Sequence, residues 1–289
     1  MNATLQLITS MFIFGTIGIF RRYIPLPSSM VAMTRGIVGM LFLLLVLRLR
    51  KIRLNGAEIR KKFWLLCISG AAIAVNWILL FEAYNYTSVA TATLCYYFAP
   101  MFIILASPIV LKEKLTVRKL ACVGVALVGM VFVSGVLQTG ISSVSEIRGI
   151  LLGVGAAAFY ASVILMNKRL GSVPAYDRTI MQLGSAGIVI LPYVLATENV
   201  TQMQFSGMTI LMLAVVCILH TGIAYMLYFG SLMHLKGQTA AIMSYIDPVV
   251  AILLSALLLK ENMGITGAIG AVLVLGAAFV SEMPGRKHA

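Results

Sequence analysis

One of the nine acidic residues in this 289-residue chain, Asp247, falls well inside an apolar run. At the helical rise it lies about 15 Å from the start of that run, near the middle of a bilayer. Ser244, Asp247, Ala251 and Ser255 share one helical face by their spacing, a small-polar stripe able to border water. An ionisable group in hydrocarbon is costly and marks a functional candidate. Asp247 can pair a cationic substrate group or carry a proton coupled to transport; the alternative is a neutral acid hydrogen-bonded to a neighbouring helix. His220 is the one histidine inside an apolar run, with Tyr225 and Tyr228 beyond it. It reads equally as a site residue and as a satisfied core residue. Arg35, roughly two turns into another run, can meet a substrate carboxylate. It can instead brace a helix or pair Glu82.

Around these charges the aromatics are unusual in position. Trp77, Tyr96, Tyr97, Tyr160, Tyr225 and Tyr245, together with the amide of Asn76, lie within apolar runs, whereas Tyr23, Trp64, Tyr84 and Tyr86 fall where an interfacial belt is expected. Tyr and Trp combine an apolar face with a polar tip and hold an ammonium by cation–π attraction, which suits an amphiphilic metabolite. Contact with substrate is expected of at least one of Trp77, Tyr97 and Tyr245. Cys67, Cys95, Cys122 and Cys217 sit in apolar runs without metal-ligand spacing, so neither disulfides nor zinc are expected. Gly153-Val-Gly155 lies within a span with no strand before it, which rules against a dinucleotide fingerprint. No metal or cofactor is expected.

The elements that position these residues are organised by a repeat. Shifted by 148 positions, Thr91, Ala92, Tyr97, Pro100, Ile104, Leu105, Ser107, Leu111, Lys112 and Glu113 each meet the same residue type, without a gap. Pro100 and Pro248 therefore break corresponding helices. Each proline removes a backbone donor, leaving the carbonyl of Tyr96 or Ser244 free, and a free carbonyl in hydrocarbon must face protein or a wet cavity. Paired interrupted helices in two halves point to a transporter's central site. Glu113 and Glu261, each beside a lysine, read as solvated helix-end pairs, with a gate as the lesser alternative.

With 61% hydrophobic and 11% charged residues, the chain is far more apolar than a soluble domain. Ten runs long enough to span a bilayer, about 17–25 residues each, fall at 4–20, 29–48, 63–84, 88–111, 116–135, 148–167, 177–197, 207–231, 238–259 and 264–281. The first has no charged leader before it and reads as a retained span. The net charge of +13 comes from short clusters between the runs, which fit membrane-flanking cations and not a nucleic-acid patch. With both termini in the cytoplasm, 17 of the 22 Lys and Arg lie inside, against the local signal of Arg21-Arg22. Five spans per half reverses the second half, making an inverted repeat. Glycines Gly124, Gly129, Gly149, Gly153, Gly264, Gly267, Gly270 and Gly276 supply close helix approach.

These features together resemble the drug/metabolite transporter superfamily in its bacterial EamA branch: ten spans, the paired Pro100…Lys112-Glu113 and Pro248…Lys260-Glu261 segments, Arg35 early in span 2, and glycine-rich spans 5 and 10. The resemblance covers 1–135 as one five-helix repeat and 147–282 as the other. It implies an all-α membrane protein, a secondary carrier with a cavity lined by spans 1, 3, 4, 6, 8 and 9. Asp247 departs from the repeat, which has Ala99 there.

The expectation is alternating-access transport of a small amphiphile, an amino acid exported in exchange with protons or by facilitated diffusion. The alternative is a choline-like organic cation with Asp247 as counter-charge; a sensor or scaffold is the non-transport alternative. An enzyme lacks a partner for Asp247, and a haem carrier lacks paired deep histidines. The expected partners are a small-molecule substrate, the lipid of the cell membrane and protons; a monomer and a homodimer both fit.

Overall fold

The computed structural model describes residues 2–21, 23–87, 92, 95–134, 144–199, 201, 203–258 and 264–282. Thr91, Leu94, Arg22, Lys260, Glu261 and the tail with Arg286, Lys287 and His288 lie outside the described residues, as does the side chain of Ser255.

Every regular element described is helical. The helices are α1 (Ala3–Arg21), α2 (Ser28–Leu49), α3 (Gly56–Tyr86), α4 (Ala99–Val110), α5 (Val117–Ser134), α6 (Val144–Arg169), α7 (Ala175–Thr197), α8 (Gly207–Cys217), α9 (Ala224–Ser231), α10 (Gly237–Met243), α11 (Ile246–Leu258) and α12 (Gly264–Glu282). A π-helical turn, Ile218–Ile223, joins α8 to α9. Six helical segments, α1, α2, α3, α6, α7 and the continuous Gly207–Ser231, are long and apolar enough to cross a membrane, and shorter apolar helices supplement them.

Two features depart from simple apolar periodicity. The helix at α3 begins at Gly56, well before the apolar run, because Asn55 caps it by accepting the Glu58 N–H at 3.2 Å and its basic first turns tolerate solvent. Pro100 and Pro248 also sit in the first turns of restarted helices and not at mid-helix kinks. The chain turns at Tyr97–Phe98 and again at Ser244–Tyr245, then restarts where a missing N–H costs least. Ser244's carbonyl consequently does not stay free. It accepts the Asp247 N–H at 3.3 Å.

The principal packing pairs are α3 with α6, α5 with α12, α2 with α7, α3 with α7, α1 with α9 and α11, and α4 with α6 and α10. Several crossings are set by glycine. A Cβ on Gly36 would lie 2.9 Å from the Gly187 nitrogen, one on Gly70 2.5 Å from the Gln182 carbonyl, and one on Gly129 2.8 Å from the Gly270 carbonyl. Gly124 and Gly276 face open space and hold no crossing, contrary to expectation. At one end of the bundle Ser29 bonds Glu198; at the other the Asn55 N–H donates to Asp177 at 2.8 Å. α2 and α7 are thus antiparallel.

Candidate functional site

A cavity of about 450 Å³ opens between the helices, a volume within the range of small-molecule pockets. Its wall draws on α1 (Met11, Phe14, Gly15, Ile17, Gly18), α2 (Arg35), the end of α3 (Trp77, Leu80, Phe81, Tyr84), the break before α4 (Tyr96, Tyr97, Ala99, Pro100), α6 (Tyr160), α9 (Tyr225, Tyr228) and the second break (Ser244, Asp247, Ala251). Nine of the twenty are aromatic, and one acid and one base complete the set.

α1 reaches this wall through Gly15, where a Cβ would meet the Asp247 carbonyl oxygen at 2.7 Å. Three residues on, Gly18 has nothing within 4 Å of such a Cβ, so the wall opens there. The rings brace one another edge to face: Phe14 lies 5.3 Å from Tyr225, Trp77 6.2 Å from Tyr225, and Tyr96 is tilted 5.4 Å from Tyr160. Such pairs contribute about 0.5–1.5 kcal/mol each beyond burial. Tyr160 donates its hydroxyl hydrogen to Tyr228 at 3.0 Å.

The two charges differ in their surroundings. Arg35 donates from Nε to Thr221 Oγ1 at 2.9 Å and stacks its guanidinium 4.8 Å over Trp77. It does not pair Glu82, which accepts instead from Tyr193 and Asn85. Thr221 is presented by the π turn, its hydroxyl donating five residues back to the Val216 carbonyl at 3.0 Å. Among the described residues no cation pairs the Asp247 carboxylate. It stands half-buried in the wall.

Trp77, Tyr96, Tyr97, Tyr160, Tyr225, Asp247, Arg35 and Pro100 therefore meet at one void. Three expected site residues are held out of its wall. Asn76 donates to the Ala156 carbonyl at 2.7 Å and ties α3 to α6. His220 is buried with Nε2 2.8 Å from Thr16 Oγ1 and its ring against Phe20. Tyr245 is fully buried behind the wall and donates to the Tyr97 carbonyl at 3.0 Å. Each is a polar group satisfied by a neighbouring helix, which apolar surroundings demand. Pro248 is buried next to Asp247 without bordering the void. Sequence reasoning missed Phe14, Gly18 and Phe81 and assigned Tyr84 to the interface. The 3–4 spacing of Met11, Phe14, Gly15 and Gly18 was the available signal in α1.

Apolar helices folded around a partly polar void make this a multi-pass membrane protein. The chain belongs to the EamA-like transporter family, whose sequence pattern matches residues 1–135 and 147–283, and so to the drug/metabolite transporter superfamily. It is 28% identical over 285 residues to the uncharacterized transporter YxxF of Bacillus subtilis, covering 94% of this chain and 87% of that one. It is also 22% identical over 297 residues to the uncharacterized inner membrane transporter YicL of Salmonella typhimurium, covering 99% and 96%. A solved crystal structure 18% identical in sequence superposes with a TM-score of 0.86 over 97% of this chain and 96% of that one, a likeness of fold alone.

Proposed function

We propose that this membrane transporter is a secondary-active carrier of a small amphiphilic metabolite, an amino acid moved outward by alternating access around the aromatic cavity. One observation carries the reading: a single void bordered by one carboxylate, one guanidinium and nine aromatic rings at the paired helix breaks. Asp247 receives the ammonium group or a coupled proton, Arg35 takes the carboxylate, and the rings hold the apolar part.

The architecture that goes with this reading is ten spans in two inverted five-helix repeats, 1–135 and 147–282, with both termini cytoplasmic. Three features support it. Corresponding spans pack in pairs, α2 with α7 and α5 with α12. The loop before α2 shares an end of the bundle with the one after α7, while the loop before α3 shares the other end with the start of α7. Tyr245 bonds the backbone of Tyr97, its counterpart at the 148-residue offset.

An organic cation is the second reading, favoured by a specific contrast: Arg35 is already engaged by Thr221 and Trp77, whereas among the described residues no neighbour neutralises Asp247. Thermal-shift screening of the purified protein against amino acids, quaternary amines and sugars separates the two. An amino acid reading expects stabilisation that requires both the amino and the carboxylate group of the ligand. Stabilisation by tetraalkylammonium ions alone selects the second, and stabilisation by sugars alone contradicts both.

A further inference from the structure

Toward α10 the void does not continue beyond Ser244 on this span. Every residue of α10 is buried, and none borders the cavity, whose wall on this span begins at Ser244. From Gln238 to Ser244, where the cavity begins, is six residues, about 9 Å of helical rise. At the far end of this dry stretch stands Glu113. The structure does not leave it as a solvated partner of Lys112. Lys112 adopts φ 57 after the end of α4, and the turn swings Glu113 back across the bundle. Its two carboxylate oxygens accept the N–H of Gly237 at 2.7 Å and of Gln238 at 3.2 Å, the first two residues of α10. Gln238 then donates its side-chain amide to Ser107 on α4 at 2.5 Å, both side chains buried. Gly237 is packed so tightly that a Cβ would lie 2.6 Å from Leu111 Cδ1. Beside this clasp Lys168 of α6 donates to the carbonyls of Leu232 and Leu235, holding the turn that leads into α10.

We propose that Glu113 is the positioning residue that seals the cavity at this end, and that its release from Gly237 and Gln238 opens the cavity toward the α10 side. The proposal rests on the alternating-access reading above. An ionised acceptor on two backbone donors at a helix start gives a strong, directional closure. Glu113 is only half-buried, so water replaces those donors when it swings away and the closure is reversible. The clasp joins the end of α4 to the start of α10, and α10 leads directly into the break that carries Asp247. Opening at Glu113 therefore moves the cavity wall itself.

The test is accessibility, which needs no substrate. With the four native cysteines replaced by alanine, a reporter Ala241→Cys sits in the buried stretch between clasp and cavity. A membrane-impermeant maleimide applied from the α10 side labels it slowly in the otherwise unaltered protein. Glu113→Ala, by loss of two charge-assisted hydrogen bonds, and separately Gly237→Val, by driving a side chain into Leu111, raise the labelling rate about tenfold or more. Glu113→Asp gives a smaller rise. Each variant is kept only if it elutes as a monodisperse species with a defined melting transition. Unchanged labelling in both folded variants overturns the proposal. Labelling as expected in this series, together with no flux from wild-type protein in liposomes, overturns the carrier reading and leaves the closure standing.

Discussion

At Asp247 a carboxylate stands among tyrosines with no cation beside it in the described structure. A group so placed contributes little to the fold and much to whatever enters the void. Asp247→Asn is therefore expected to remove or uncouple transport while leaving the melting temperature equal or higher, checked by flux and thermal unfolding on one preparation. Asn76 predicts the opposite pattern. Its amide adds a buried inter-helix hydrogen bond to the Ala156 carbonyl of α6, so Asn76→Ala is expected to cost about 0.5–1.5 kcal/mol of stability. KM is expected to change less than for a wall residue, because the side chain does not border the cavity. Trp77→Leu removes a ring from the wall and the platform under Arg35. For an ammonium substrate its loss raises KM by about 2- to 30-fold, the range of a cation–π contact. An unchanged KM for Trp77→Leu places the substrate elsewhere.

At the scale of elements, the glycine crossings decide which helices can approach. Gly129→Leu drives a side chain into Gly270 and Val274 of α12 and is expected to destabilise the protein by about 1–3 kcal/mol. Gly124→Leu, five residues earlier and facing open space, is expected to be neutral; equal losses in denaturation would contradict this account of the α5 to α12 crossing. The same contrast shows what periodicity conveys and what it does not. The run 29–48 predicted α2 to within a residue at each end, because apolar length alone defines such a helix. Both glycines of α5 look alike in the sequence, and only packing tells them apart. The π turn at Ile218–Ile223 was not legible either. The run from 207 to 231 is uniformly apolar, and the inserted turn is stabilised by the Thr221 hydroxyl and by what His220 and Arg35 find across the bundle. His220 looked like a site residue for that reason: it is polar within a span, and its partner, Thr16, lies far away in sequence.

For the whole molecule, charge distribution and the repeat lead to the proposed topology of two opposed halves. The account predicts that Tyr23 to Leu26 and Gly171 to Val173, equivalent loops of the two halves, lie on opposite faces of the membrane. Single cysteines there, labelled from each side of oriented vesicles, check this; labelling from the same side contradicts the inverted arrangement. What the sequence made legible at this scale was the wall of the cavity. Asp247, Arg35, Trp77 and the tyrosines were polar or aromatic where lipid-facing positions are not. The residues that escaped, Phe14 and Phe81, carry no polar signal, and Tyr84 sits near a helix end where a belt residue is equally expected. The central claim is that a solute crosses through the void at Asp247. Its most direct test is gradient-driven flux of labelled amino acids and, separately, a quaternary amine into proteoliposomes holding purified wild type or Asp247→Asn. The account predicts wild-type flux above protein-free liposomes that falls to background in the variant; no wild-type flux with either substrate, or equal flux in the two proteins, contradicts it.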